Sequence, residues 1–424
     1  MSIPTNIPTD VDVLIVGGGP AGALLGCLLA RRGIHVLVVE KQQNLDRDFR
    51  GETLAAPSVV TLRRLGFGPA LENHGYLETT AVSMRMEGQE VLNVDYGRFG
   101  IGALPIDIPQ PGLIGLFNDA AAGEPGYAYA AGTSCTGLVE KDGAITGARL
   151  RDRDGNRVTV TARLVVGADG RFSKVRKEAG LAAEITPQQR DFLSFKLPRP
   201  AGWGQHAELV VNRDKHLVVL PTWPDFLRVG HNLPKRGLGE LRRRGIEAFR
   251  AGITEIDPRL GPLVEEHVRT WDDTGFLEIF TAEMADWARD GLILIGDASH
   301  TCTPILGQGV NLAIQDVVMI SPVIAAALRA GTGPVPATTF DGFVAARRRH
   351  KRRVTRFQRM QEAALAQHKP AKVWVRRVRF KTMNRLPLKY VVFGKVINAP
   401  HPIDPADLRT GAEAAPTPAA PSAA

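Results

Sequence analysis

Six residues, Gly17-Gly18-Gly19-Pro20-Ala21-Gly22, restrict the fold of this chain more than any other stretch. They follow 11–16, a Val- and Ile-rich apolar run that reads as a buried parallel strand. They open 20–32, an Ala- and Leu-rich segment that predicts a helix stopped by Gly33. A second strand, 34–39, then ends in Glu40. Gly17, Gly19 and Gly22 satisfy G-x-G-x-x-G, and each glycine has a physical reason: a tight turn, close approach of backbone to a pyrophosphate, and close helix–strand packing. The helix N–H groups and dipole would face the phosphates. Glu40 sits where a carboxylate accepts ribose hydroxyls. Gly17, Gly19, Pro20, Ala21, Gly22 and Glu40 are therefore candidate nucleotide-binding residues.

Two more apolar strands run into glycine downstream. Residues 163–166 lead into Gly167-Ala168-Asp169-Gly170, and 292–295 lead into Gly296-Asp297. Between them, 192–197, 208–211, 217–220 and 226–229 alternate as strands, and 238–251 reads as an amphipathic helix. A small-residue segment after Gly296-Asp297 leads into a helix from about residue 310, and 321–329 and 339–367 read as helices. The fold class is α/β: a Rossmann-like domain, interrupted by a mainly antiparallel sheet domain for substrate, with C-terminal helices. The expected division gives 1–80, 97–186 and 291–330 to the nucleotide-binding domain. It gives 81–96 and 187–290 to the sheet domain, 331–395 to a basic helical region, and 396–424 to a disordered tail.

With 424 residues, two or three domains are expected at roughly 150 residues each. The longest charge-free apolar run in a candidate helix, 317–328, is short of the about 20 residues a membrane span needs, so no integral membrane helix is expected. Residues 1–9 carry no signal-peptide pattern. Cys27, Cys135 and Cys302 are too few and too scattered for a disulfide framework or a zinc site. No metal is expected, and a reducing cytoplasm is the default.

Three ordered motifs spread over 11–329 resemble the flavin-dependent monooxygenases of the para-hydroxybenzoate hydroxylase type, the group A flavoprotein hydroxylases. The resemblance implies FAD, with 17–22 on the pyrophosphate, Glu40 on the adenosine ribose, and Gly296 and Asp297 at the ribitol. Gly307, Gly309 and Asn311 would form a turn facing the flavin pyrimidine ring. Asp169 would serve both FAD and NAD(P)H, Arg50 would lie near the FAD phosphates, and Gln110 would contact the cofactor. Pro304 would line the site with its carbonyl near substrate and flavin. Against these readings stand plainer ones: Asp169 and Asp297 as helix caps, Arg50 as a surface residue, Gln110 as a loop residue. His300 reads as structural, and Cys27 and Cys302 as packed small residues.

The implied reaction uses NAD(P)H and O₂, with a flavin C4a-hydroperoxide attacking an electron-rich carbon of an aromatic, polyketide or quinone-like substrate. The protein's tasks are to hold the ring, favour phenolate and exclude water. Residues 187–290 contain no tyrosine, so the tyrosine pair that deprotonates para-hydroxybenzoate is missing and that substrate is not expected. His206, Arg228 and His231 are the polar candidates there. The alternatives are an isoprenoid double-bond reductase on a similar fold, an epoxidase, or a flavoprotein with a binding role only. The halogenase signature Trp-x-Trp-x-Ile-Pro is absent.

The net charge is +9, but 342–395 holds 17 Lys and Arg against Glu362 alone, so the remainder is net negative. This basic segment reads as a solvated helix face, as an attachment to an anionic membrane surface, or as a dock for an acidic carrier protein. Trp374, Phe380 and the apolar residues of 386–396 favour the membrane among the partners. No nucleic-acid motif accompanies the charge. Localisation is expected to be cytoplasmic, with a peripheral membrane option. Arg347, Arg348, Arg352 and Arg353 lie outside the cofactor motifs, so neutralising them is expected to leave FAD content unchanged.

Overall fold

The computed structural model describes residues 7–44, 52–367, 369–397 and 403–407. Its first sheet is built on the apolar strand Asp10–Val16, which is flanked in parallel by Val36–Glu40 and Arg157–Gly167. Leu292–Leu294 and Tyr127–Ala131 extend the parallel set on either side. Alternation along these strands feeds two cores. Val13, Ile15, Val36, Val38 and Leu164 pack under the helices Pro20–Ala30, Gln110–Ala121 and Gln308–Ala330. Leu14, Val16, Leu37 and Val165 pack under the antiparallel pair Ser134–Lys141 and Ala144–Arg151. The sheet is covered on both faces, which explains why its strands read as unbroken apolar runs.

The second sheet has the order Thr274–Leu277, Arg190–Pro198, Phe226–Pro234, Lys215–Thr222, His206–Asn212, Ala81–Met86, Gln89–Asp95. It is antiparallel except where His206–Asn212 meets Ala81–Met86. Phe195, Val219 and Val229 bury against Phe249 and Ile253 of the helix Ile246–Ile256. The expected helix 238–251 is two helices, Leu238–Arg243 and Ile246–Ile256. They are broken at Gly245, whose φ of +88° no L-residue adopts cheaply.

The helix expected from about residue 310 and the one expected over 321–329 are a single 23-residue helix, Gln308–Ala330. The stretch Ile305–Ala330 is long and apolar enough to cross a membrane by length and composition, but 67% of its apolar window is buried inside the fold. It is a core helix. Its polar residues Asn311, Gln315 and Asp316 are also buried, with partners described below.

Three helices follow: Asp341–Leu365, Pro370–Arg385 and Leu388–Ile397. The basic helix Asp341–Leu365 is not simply a solvated face. Phe343, Arg347, Lys351, Val354, Thr355 and Gln358 form a buried stripe at helical spacing. The range expected as a tail is ordered in part. Leu388–Ile397 reaches into it, and Asp407 accepts from Arg32 Nε at 2.8 Å. Residues 408–424 lie outside the described residues.

His216 and His231 are buried in the second sheet, and burial pushes their rings down to about 3 and about 4. Both values lie below the unfolded value of about 6.5. Stability from keeping these rings neutral is therefore present above pH 6.5 and is lost as pH falls toward 3–4, where the unfolded chain binds protons that the folded chain refuses. The urea midpoint should be lower at pH 5 than at pH 7.5, and a His216→Leu/His231→Leu variant should show a smaller drop. Equal midpoints at the two pH values in the parent protein would contradict this reading.

Candidate functional site

The three glycine-ended strands are parallel neighbours in the sheet and end side by side. Gly17 N–H donates to Val39 O, Ala168 N–H to Val16 O, and Ile295 N–H to Gly167 O, at 2.8–3.0 Å. The first and second motifs touch through Gly17, whose φ is +112°; a Cβ there would lie 2.4 Å from Ala168 O. The first and third touch through Gly296, whose added Cβ would meet Ala21 Cβ at 3.4 Å. The second and third are tied by buried Arg176, whose Nη1 donates to Ala298 O at 3.1 Å.

The helix Pro20–Ala30 begins with no side chain over its end. Gly19 makes no side-chain cap, Pro20 occupies the first turn, and a Cβ at Gly22 would lie 1.9 Å from Gly17 O. The result is a helix start with bare backbone N–H groups and a turn too tight for a side chain at Gly17 or Gly22, the polarity and close approach a pyrophosphate requires. Glu40 is held beside it: its carboxylate accepts Gly18 N–H at 2.9 Å and Gln42 N–H at 3.0 Å. These observations fit a dinucleotide such as FAD.

In the third motif, Asp297 is half-buried where its neighbours 291–296 and 298–300 are all buried, and its carboxylate makes no hydrogen bond among the described residues. It is open for a ligand hydroxyl. Gly307, with φ +59°, starts the long helix without a side-chain cap, so Gly309 and the next residues offer bare N–H groups. Asn311 does not point outward. It accepts Ala55 N–H at 2.8 Å and donates to Thr53 O and Gly307 O, stapling this turn to the strand Thr53–Leu54.

Asp169 has both oxygens engaged, by Ser173 Oγ and by the N–H groups of Lys174 and Val175. It shapes the turn into the helix Lys174–Glu178, the plainer of its two readings. Pro304 is exposed, and its carbonyl accepts Gly307 N–H at 2.9 Å. Gln110 is buried at the start of Gln110–Ala121. Arg50 lies outside the described residues. Cys27 and Cys302 are buried, and burial pushes the Cys302 thiol up to about 12. His300 is buried with Nε2 3.0 Å from Thr355 Oγ1, and burial and Lys351 push it down to about 3, so it is neutral and structural.

The basic helix underpins the flavin-side loop, which motif reading missed. Asp316 is fully buried and accepts Arg347 Nε at 2.6 Å, Lys351 Nζ at 2.6 Å and Gly296 N–H at 2.8 Å. Burial alone would raise the Asp316 pKa, but the two cations outweigh it and hold the carboxylate ionised. Lys351 also donates to Ser299 Oγ, and Gln358 donates to Thr303 O and Ile305 O. The expectation that neutralising Arg347 leaves cofactor binding untouched is therefore corrected: Arg347 braces the carboxylate that holds Gly296. The spacing of Arg347 and Lys351 on the Phe343–Val354 stripe was the one sequence signal.

A second polar group sits beside the Thr53 staple. Glu52 accepts Thr222 Oγ1 at 2.9 Å and lies 3.4 Å from Lys196 Nζ. Asp107 accepts Thr53 Oγ1 and Thr79 Oγ1; burial pushes it up to about 6, those hydrogen bonds oppose the rise, and Glu52 adds to it. Arg228 is half-buried in the field of Glu52 and Asp107, and its guanidinium makes no hydrogen bond or ion pair among the described residues. Of the three polar candidates in the sheet domain, only Arg228 reaches this place. His206 lies beside Glu208 at 3.2 Å, and His231 packs on Phe249.

Residues 10–358 match the FAD binding domain family. The chain is 34% identical over 352 residues to 6-methylpretetramide 4-monooxygenase of Streptomyces rimosus, covering 82% of this chain and 83% of that one. It is 30% identical to kynurenine 3-monooxygenase of Salinispora arenicola (strain CNS-205), covering 80% and 76%. The crystal structure of p-nitrophenol 4-monooxygenase PnpA from Pseudomonas putida DLL-E4 shares the fold, with a TM-score of 0.78 at 18% identity over 93% of this chain and 99% of that one. The chain belongs to the FAD binding domain family and is an FAD-dependent monooxygenase.

Replacing Arg347 by Met should lower stability by about 3 kcal/mol, because a buried ion triad loses one cation, and should lower the FAD content of the purified protein. Unchanged urea midpoint and unchanged FAD content would show that the triad does not support the loop. Asp297→Ala should raise the FAD dissociation constant at least tenfold in a fluorescence titration, from loss of one or two charge-assisted hydrogen bonds worth about 1.5–3 kcal/mol each.

Proposed function

Proceeding from membership of the FAD binding domain family, we propose that the protein hydroxylates a phenolic ring of a polycyclic aromatic polyketide, with NAD(P)H as reductant and O₂ as oxygen source. The similarity to the pretetramide monooxygenase over more than four fifths of both chains supports the substrate class. The observation that carries the chemistry is Arg228, a half-buried guanidinium that makes no side-chain hydrogen bond or ion pair among the described residues and lies in the field of Glu52 and Asp107, the latter bonded to Thr53 of the strand that Asn311 staples.

FAD, when bound, accepts the electrons of NAD(P)H and activates O₂. The chain's own residues do the rest. Gly17, Gly19 and Gly22 would admit the pyrophosphate, Glu40 would hold the ribose, Asp297 the ribitol, and Gln110 would complete the cofactor contacts. The bare N–H groups at Gly309 and beyond would stabilise negative charge on the ring system. Arg228 holds the substrate's phenolic oxygen and favours its ionised form, which enriches the ring carbon ortho to it. Glu52, fixed by Thr222 and Lys196, offsets the charge of Arg228 through space. No protein nucleophile is needed. We also propose a cytoplasmic enzyme whose basic C-terminal helices meet an anionic partner.

The test is a panel of phenolic polyketides, simple phenols and quinolones scored for stimulated NAD(P)H oxidation, with ¹⁸O₂ as the oxygen source. Phenolic polyketides should stimulate oxidation and gain one ¹⁸O atom. Products without ¹⁸O would reject hydroxylation in favour of double-bond reduction. Arg228→Gln should raise the apparent KM for the phenol more than tenfold while FAD content stays the same; an unchanged KM would remove Arg228 from the substrate site.

A further inference from the structure

The basic region divides its charge between two jobs. Arg347 and Lys351 are buried on Asp316, Arg352 pairs with Glu283, and Arg377 pairs with Glu87. Arg376 is buried on backbone carbonyls, and Lys389 donates to Asn93 O. Among the rest, Arg349, Arg353, Arg356, Lys372, Arg379 and Arg385 are exposed, with side chains that make no hydrogen bond or ion pair among the described residues.

These cations lie in order. On Asp341–Leu365, Arg349, Arg353, Arg356 and Met360 follow at spacings of four, three and four, so they share one helix face, opposite the buried stripe. Continued by the same spacing, that face reaches Ala364 and Gln367. Ala364 and Gln367 line a surface groove together with Ala371, Lys372, Val375 and Arg379 of the next helix. The arginine stripe thus runs into the outer face of Pro370–Arg385.

That outer face is apolar where it is not cationic. Trp374 is 65% exposed, and Val375, Val378, Leu386 and Val391 are also exposed. Arg376 and Phe380 point inward and fix the helix on the protein, Phe380 within the cluster that covers Met84, Val91 and Val94 of the second sheet. The helix is therefore rotationally locked with Trp374, Val375 and Val378 outward. Acidic side chains are absent from this helix and from the one that follows it.

We propose that this face docks on an anionic lipid bilayer, with Trp374, Val375 and Val378 entering the headgroup–acyl boundary and the unpaired cations on the lipid phosphates and carboxylates. The proposal rests on the reading that the basic helices meet an anionic partner and commits that partner to a membrane. Charge complementarity selects an anionic surface. The exposed tryptophan and valines at helical spacing select a bilayer over a purely acidic protein, because an interfacial helix needs apolar insertion as well as charge.

The test uses the full FAD-loaded protein with vesicles of phosphatidylcholine containing 30% phosphatidylserine, with pure phosphatidylcholine vesicles, and with polyglutamate as an acidic non-lipid partner. At 50 mM salt, most of the protein should sediment with the phosphatidylserine vesicles and almost none with the neutral ones. Recovery should fall more than tenfold at 1 M salt, where the Debye length shrinks from above 10 Å to about 3 Å. Trp374→Ser/Val378→Ser, which leaves every charge in place, should weaken vesicle binding more than fivefold with FAD content and NAD(P)H oxidation unchanged. Arg349→Gln/Arg353→Gln/Arg356→Gln should weaken it similarly. Binding to polyglutamate but not to vesicles would overturn the lipid assignment while keeping the anionic partner. Binding to neither would overturn both. A Trp374→Ser/Val378→Ser change that converts a dimer to a monomer without lowering vesicle recovery would give the face to a second copy of the chain instead.

Discussion

The buried carboxylate of Asp316 joins parts of the molecule that are far apart in sequence. It receives Arg347 and Lys351 from the basic helix and the N–H of Gly296 from the cofactor loop. Taking three charges out of water costs several kcal/mol per ion, so the arrangement persists only because every remaining donor also has a partner. Arg347 spends its other two nitrogens on Gln315 Oε1 and Leu312 O, and Lys351 reaches Ser299 and lies 4.7 Å above the Trp287 ring. A hydrophobic substitute of equal volume would satisfy packing but would leave Gly296 N–H without its acceptor.

The two halves of the site follow from this brace. The loop that presents Asp297 is held from below by Asp316 and from the side by Gln358, while Asn311 ties the start of the same helix to Thr53. Thr53 neighbours Glu52, so one short chain of hydrogen bonds links the cofactor turn to the polar group around Arg228. The cofactor cradle and the cationic group proposed for the substrate are thereby joined through one hydrogen-bonded path, the kind of coupling that proximity and orientation effects require.

What could be read from the sequence was what local sterics dictate. Gly17, Gly22 and Gly296 announce themselves because a side chain there meets backbone or a packed neighbour, and the parallel strands announce themselves by being apolar on both faces. What escaped was what depends on a partner distant in the chain. The helix start near Val310 could be read, but the burial of Asn311, Gln315 and Asp316 could not, because they look like surface residues until Thr53 and Arg347 supply their hydrogen bonds. Arg347 and Lys351 were indistinguishable by type from Arg349 and Arg353, which are solvent-facing. Asp107 and Glu52 belong to no motif, and only the folding of Thr79 and Thr222 against them gives them a role. Asp407, in a range that composition assigns to a tail, is held by Arg32.

The central claim is that the basic helix determines the geometry of the cofactor loop through Asp316. Amide hydrogen exchange of residues 296–305, compared between the parent protein and Lys351→Met, tests it most directly. The account predicts that 296–305 exchange markedly faster in Lys351→Met while the strands of 190–234 keep their protection. Equal protection of 296–305 in the two proteins would contradict it.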